Sequence, residues 1–90
     1  MPCLHIYISG KVQGVSFRYY LMKEAQRLGI LGWVKNLEDG RMEVIAQSKS
    51  EALQEFLRHC RKGPPYAEVE RVDMEEVPEQ ELDGFEVKYD

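Results

Sequence analysis

Apolar and polar residues alternate from the third position onward. Leu4, Ile6 and Ile8 fall between Cys3, His5, Tyr7 and Ser9, and this period of two predicts a half-buried strand. From Phe17 the period lengthens: Phe17, Tyr20, Leu21, Ala25 and Leu28 recur at helical spacing, with Ser16 placed as N-cap and Gly29 as the stop. Leu31 to Asn36 reads as a second strand. Glu38-Asp39-Gly40 turns it into a third, Arg41 to Gln47, on the Asp-Gly hairpin signal. Ser48-Lys-Ser-Glu51 has the form of a capping box ahead of a second helix, whose stripe is Leu53, Phe56, Leu57 and Cys60 and whose end is Gly63-Pro64-Pro65. Ala67 and Val69, then Val72 and Met74, form a fourth strand in which the alternation slips by one residue near Glu70-Arg71. The slip predicts a β-bulge. Phe85, Val87 and Tyr89 alternate with Glu86 and Lys88 as a short closing strand.

The order β-α-β-β-α-β with an extra strand is the ferredoxin-like arrangement of the α+β class: an antiparallel sheet with two helices on one face. It predicts a single domain over residues 1–90. In that topology the first and second strands run the same way with the third between them. The 10–16 loop, the N-terminus of the first helix and Asn36 at the end of the second strand then share one edge of the sheet, with Asn36 about 10 Å from the first strand.

Composition adds exclusions. The chain is 43% hydrophobic and 31% charged, no run approaches the length of a membrane span, and no targeting segment precedes the first strand, so a cytoplasmic protein without membrane contact is expected. The same reasoning favours reduced thiols at Cys3 and Cys60 over a disulfide between them. Charge is uneven. Residues 1–67 carry ten Lys/Arg against six Asp/Glu, and residues 68–90 carry two against ten. A pI near 5.2 argues against nucleic acid as a partner. The RNA-recognition module shares this element order, but its aromatics belong on the third strand, where this chain has Arg-Met-Glu-Val-Ile-Ala. His5 and His59 have no carboxylate or cysteine at ligand spacing, so no metal is expected. Ser9, Ser16, Ser48 and Ser50 lack a paired histidine, and Glu75-Glu76 and Glu79-Glu81 read as a solvated face. Trp33, Tyr7, Tyr19 and Tyr20 read as packing residues.

One stretch resists a purely structural reading. Ser9-Gly-Lys-Val-Gln-Gly-Val-Ser-Phe-Arg18 places glycines at 10 and 14 and then an arginine in the first helical turn, where a cation faces the positive end of the helix dipole. A glycine-flanked loop feeding a helix N-terminus offers amides to an anion, and an arginine fork suits phosphate. Lys11 and Lys35 would add positive potential. Asn36, a neutral donor and acceptor, could orient a water. By itself the loop reads equally as a structural turn or an anion site.

Ile8-Ser-Gly-Lys-Val-Gln-Gly-Val-Ser-Phe-Arg18 resembles the first signature of the acylphosphatase family, and Gly32-Trp-Val-Lys-Asn36 followed by Gly40 resembles the second. The likeness extends through Gly63-Pro-Pro-Tyr66 and Phe85-Glu-Val-Lys-Tyr89. Met42 stands where valine is usual, Ser48 where glycine is usual, and Leu21 where a smaller or polar residue is frequent. The resemblance implies metal-independent and cofactor-free hydrolysis of an acyl phosphate to carboxylate and inorganic phosphate, the latter also an inhibitor, by a monomer. It implies that Gly10, Lys11, Val12, Gln13, Gly14, Val15 and Ser16 form the phosphate cradle, that Arg18 binds phosphate, and that Asn36 orients the attacking water. The alternative is a non-catalytic anion- or acyl-phosphate-binding module of the same fold; Asn36 favours the enzyme, because binding alone needs no water-orienting amide.

Overall fold

The computed structural model describes residues 1–89; Asp90, the last residue of the expected domain, lies outside them. The elements are β1 (Cys3–Lys11), α1 (Phe17–Leu28), β2 (Leu31–Asn36), β3 (Met42–Gln47), α2 (Ser50–Lys62), β4 (Glu68–Val77) and β5 (Phe85–Lys88), and the sheet order is β4-β1-β3-β2-β5. The α+β ferredoxin-like architecture expected from the alternation is present, with β3 inserted between β1 and β2.

Period-two alternation puts Ile6, Ile8, Val34, Met42 and Val44 on one face of the sheet. Both helices cover that face with Phe17, Leu21, Ala25, Leu53, Phe56 and Cys60, all in one buried cluster. Burying each large apolar side chain contributes roughly 1.5–3 kcal/mol. The ring of Phe56 meets that of Phe85 edge-on at 5.9 Å, which joins β5 to α2 across the core.

The sheet is mixed, not wholly antiparallel. β5 pairs parallel to β2, with Val87 opposite Val34. The reason is the path of residues 78–84, which leave β4 beside Cys3 and cross beneath the start of β1, the end of β3 and the start of β2. Two bonds hold that crossing to the sheet: Gln47 Nε2 donates to the Gln80 carbonyl at 2.9 Å, and the Gln80 N–H donates to Gln47 Oε1 at 2.8 Å. The chain therefore re-enters from the end at which β2 begins, and Gly32 N–H donates to Gly84 O at 2.9 Å.

The slip in the alternation of β4 is a bulge. Ser9 stands opposite Arg71 and Gly10 opposite Val69, which leaves Glu70 without a partner. Gly10 has φ 126°, and a Cβ there would lie 2.2 Å from the Glu68 carbonyl oxygen, so the residue is needed for close approach of the two strands.

The two expected serine caps do not form. Ser16 occupies the cap position of α1 in a left-handed conformation, φ 64° and ψ 24°, with no side-chain cap bond. At α2 the cap position belongs to Lys49. Ser48 is buried, and its hydroxyl donates to the Gly29 carbonyl at 3.4 Å while its N–H donates to Pro2 O at 3.2 Å. Its hydrogen bonds tie α2 to the end of α1 and to the N-terminus. The Gly29 and Gly63 stops are as expected: each has positive φ and returns its N–H to the preceding helix.

Cys3 and Cys60 are free and buried. Burial pushes the Cys60 thiol up to about 12, and burial together with the nearby Glu79 carboxylate raises that of Cys3. Among the described residues no helix is long and apolar enough to cross a membrane.

Two outcomes are expected. Gly10→Ala will lower stability by more than about 1 kcal/mol, because it combines a backbone clash with an unfavourable φ, and urea unfolding will show it. Neither thiol will react with a disulfide reagent at pH 8 in the native state, whereas both will react once guanidinium unfolds the chain.

Candidate active site

The β1–α1 connection, the first turn of α1, the last residue of β2 and the strand β5 enclose a cavity of about 620 Å³. Of the residues expected at the site, Val12, Gly14, Ser16, Arg18 and Asn36 border it. Gly10, Lys11, Gln13 and Val15 do not. Gly10 is fixed against β4, as above. Lys11 is exposed at the end of β1, opposite Glu68. Val15 packs against the core. Gln13 braces the loop from outside the cavity. Its Nε2 donates to the carbonyl oxygens of Leu37 at 2.8 Å and Arg41 at 3.0 Å, tying the loop to the β2–β3 turn. Lys35, expected to add positive potential, instead lies 3.8 Å from Glu43 on the helix-free face of the sheet.

The backbone of the loop is shaped for an anion. Gly14 takes φ 75° and Ser16 takes φ 64°, the one left-handed non-glycine residue described. That conformation costs a non-glycine residue roughly 1–2 kcal/mol, and such strain clusters at functional sites. The first helical bond of α1 runs from Tyr20 N–H to Ser16 O at 3.0 Å. Among the described residues, no N–H from Gln13 to Tyr19 meets a protein acceptor in a turn, cap or side-chain bond. The first turn of α1 carries no acidic side chain either. An N-terminus with open amides and an uncompensated dipole offers donors and a favourable field to an anion.

Arg18 stands at this terminus with its guanidinium carbon 4.7 Å from the centre of the Tyr89 ring. A cation–π contact uses the face of the guanidinium, and the N–H donors lie in its plane, so the contact leaves the fork available to an oxyanion. Across the cavity, Asn36 pairs with Met42, which in turn pairs with Ile8. The Asn36 Oδ1 is buried and has no hydrogen-bond partner among the described residues. A buried acceptor without a partner is costly unless something arrives to satisfy it.

The histidines stand elsewhere. His5 Nε2 lies 2.7 Å from Glu43, and His59 Nδ1 lies 2.8 Å from the Tyr20 hydroxyl between the helices. Burial, followed by the charge of Glu24, raises the Tyr20 phenol. The reading of Tyr19 as a packing residue fails. It is 58% exposed and borders the cavity with Met22, Phe85, Glu86, Val87 and Tyr89. The signal was available in part: positions 18, 19 and 22 lie off the buried 17, 21, 25 stripe, on a flank of their own. What that flank faces depended on where β5 docks.

The family model described as Acylphosphatase matches residues 4–87. The acylphosphatase of Thiobacillus denitrificans is 47% identical over 90 residues and covers 100% of each chain. That of Rubrobacter xylanophilus is 46% identical over 86 residues, 94% of this chain and 78% of its own. The crystal structure of the acylphosphatase from Bacillus subtilis matches with a TM-score of 0.95 at 37% identity, over 99% of this chain and 100% of its own. Fold and relatives together define a small hydrolase of the α+β class. The chain belongs to the acylphosphatase family. It is an enzyme that hydrolyses acyl phosphates, with a small-molecule acyl phosphate as substrate and inorganic phosphate as a product. A non-catalytic binding module is not favoured.

If the amides and Arg18 hold phosphate, saturating phosphate will raise the melting temperature of the native protein. At a hundredfold excess over Kd the rise will be on the order of 10 °C. Arg18→Ala will remove most of that gain in a thermal scan; an undiminished gain would place the anion elsewhere.

Proposed function

We propose that residues 1–90 act as a single-domain, monomeric acylphosphatase of the cytoplasm, without nucleic-acid or membrane partners, and that one cavity performs the whole reaction with no metal or cofactor. In this reading the phosphoryl group sits at the α1 N-terminus. The amides from Gly14 into the first turn of α1 and the Arg18 fork receive its oxygens. Gly10, Lys11, Gln13 and Val15 support the cradle without touching the anion. The Asn36 Oδ1 accepts a hydrogen bond from a water and holds its oxygen toward the phosphorus. The observation that carries this assignment is that unpartnered, buried Oδ1 on the same cavity as Arg18.

The chemistry matches the groups present. Water oxygen bonds to phosphorus, the bond from phosphorus to the acyl oxygen breaks, and the carboxylate leaves with the electron pair. A carboxylate is a good leaving group, so no acid is required for its departure. The proton lost by water passes to a phosphoryl oxygen of the substrate itself, and an amide such as Asn36 need only orient. Arg18 and the dipole offset the charge on the phosphoryl oxygens as they separate in the transition state. Product phosphate fits the same donors, which makes it an inhibitor.

Hydrolysis of benzoyl phosphate will proceed undiminished with a chelator present. Asn36→Ala will lower kcat by roughly 10²–10³-fold, the scale for loss of one transition-state hydrogen bond, while leaving phosphate inhibition in place. Arg18→Ala will lower kcat/KM by roughly 10³–10⁵-fold. A near-normal kcat for Asn36→Ala would remove its water-orienting role.

A further inference from the structure

The cavity is much larger than phosphate requires. At about 620 Å³ it lies within the range of pockets that enclose whole organic ligands, roughly 300–1,000 Å³. Its polar groups are concentrated at one end, around the β1–α1 loop, Arg18 and Asn36. The remainder is bordered by Tyr19 and Met22 from α1 and by Phe85, Val87 and Tyr89 along β5. Met22 and Val87 are half-buried against the core, so this wall has a fixed apolar base, whereas Tyr19 and Tyr89 are exposed at its rim. Among the described residues bordering the cavity, Arg18 carries the charge on the α1 side, whereas Glu86, which alternates with Phe85 and Val87 and pairs with Trp33, turns its side chain to the helix-free face. Lys11 and Lys35 do not reach the cavity.

We propose that the cleft between α1 and β5 is the acyl-group subsite. It selects acyl phosphates whose acyl part is apolar and of aryl size over those with a small acyl group. The proposal rests on placing the phosphoryl group at the loop and Arg18. With that end fixed, the acyl chain has one direction of exit, along Met22 and Val87. An aromatic acyl group there covers the apolar base and lies between the two tyrosine rims. An acetyl group leaves most of that surface in contact with water.

The test compares kcat/KM for benzoyl and acetyl phosphate in the native enzyme and Met22→Ala. Comparing the benzoyl-to-acetyl ratio between the two proteins cancels the intrinsic reactivity of each substrate. Met22→Ala is expected to lower that ratio by about tenfold, the scale for lost side-chain contact in an apolar pocket. A ratio within twofold of the native value overturns the apolar subsite. Arg18→Ala is measured alongside. If it still turns over benzoyl phosphate and is still inhibited by phosphate, the placement of the phosphoryl group is wrong. If it is inactive while the ratio stays unmoved, only the acyl subsite falls.

Discussion

The Gln13 side chain joins the two halves of the site. Its Nε2 donates to the carbonyl oxygens of Leu37 and Arg41, the residues on either side of the β2–β3 turn. Leu37 directly follows Asn36, and Arg41 directly precedes Met42, the partner of Asn36 in β3. One amide nitrogen thereby fixes the loop that carries the open N–H groups relative to the residue with the open acceptor. Buried Val12 anchors the same loop from beneath, and Gly10 lets β1 approach β4 closely enough for the loop to begin where it does. Neither Gln13 nor Gly10 borders the cavity, yet the spacing between Arg18 and Asn36 depends on both. Groups held in advance at the geometry of reaction avoid reorganisation when the substrate binds.

The left-handed Ser16 explains why α1 begins uncapped. An N-cap serine normally takes extended dihedrals and turns its oxygen back to the second or third amide of the helix. At φ 64° and ψ 24° the side chain of Ser16 makes no such bond. A stabilisation of about 1 kcal/mol is forgone and some backbone strain is added. The arginine two residues later adds repulsion from the dipole. Each of these is unfavourable in the empty protein, and under the proposed assignment one dianion offsets their cost by accepting from the amides, matching the dipole and pairing with Arg18. The partnerless Oδ1 of Asn36 belongs to the same account, since the proposed water above a bound phosphoryl group would complete its hydrogen bonding.

Much of this was legible in the residues because it follows from period and chain connectivity. The alternation in β1 and β4 located the strands, and the slip at Glu70 marked the bulge, since one extra residue inverts every following side chain. Asn36 could be placed because the second strand of this topology must end beside the loop. What could not be read depended on docking. Alternation in Phe85, Val87 and Tyr89 identifies a strand but carries no direction, so the parallel pairing with β2 emerged only from the path of residues 78–84 and the Gln47–Gln80 bonds. The wall of the cavity was hidden for the same reason. Ser48 illustrates a second limit: residue type fixes what a hydroxyl can bond, and in this chain the nearest acceptor was the end of α1, not the start of α2.

The distribution of charge follows from the same architecture. β4 is a long edge strand, and an exposed edge invites pairing with another chain. Glu68, Glu70, Glu75 and Glu76 are exposed along it, and acidic residues continue through 78–84. Like charges along an edge oppose pairing with a second copy. Placed around the loop and Asn36 they would instead repel an anionic substrate. Among the described residues bordering the cavity, the loop and α1 contribute Arg18 and no acidic side chain, and Glu86 on β5 turns with its partner Trp33 to the helix-free face. The negative charge on β5 is thereby kept off the helix-covered face, where the phosphoryl group is proposed to bind.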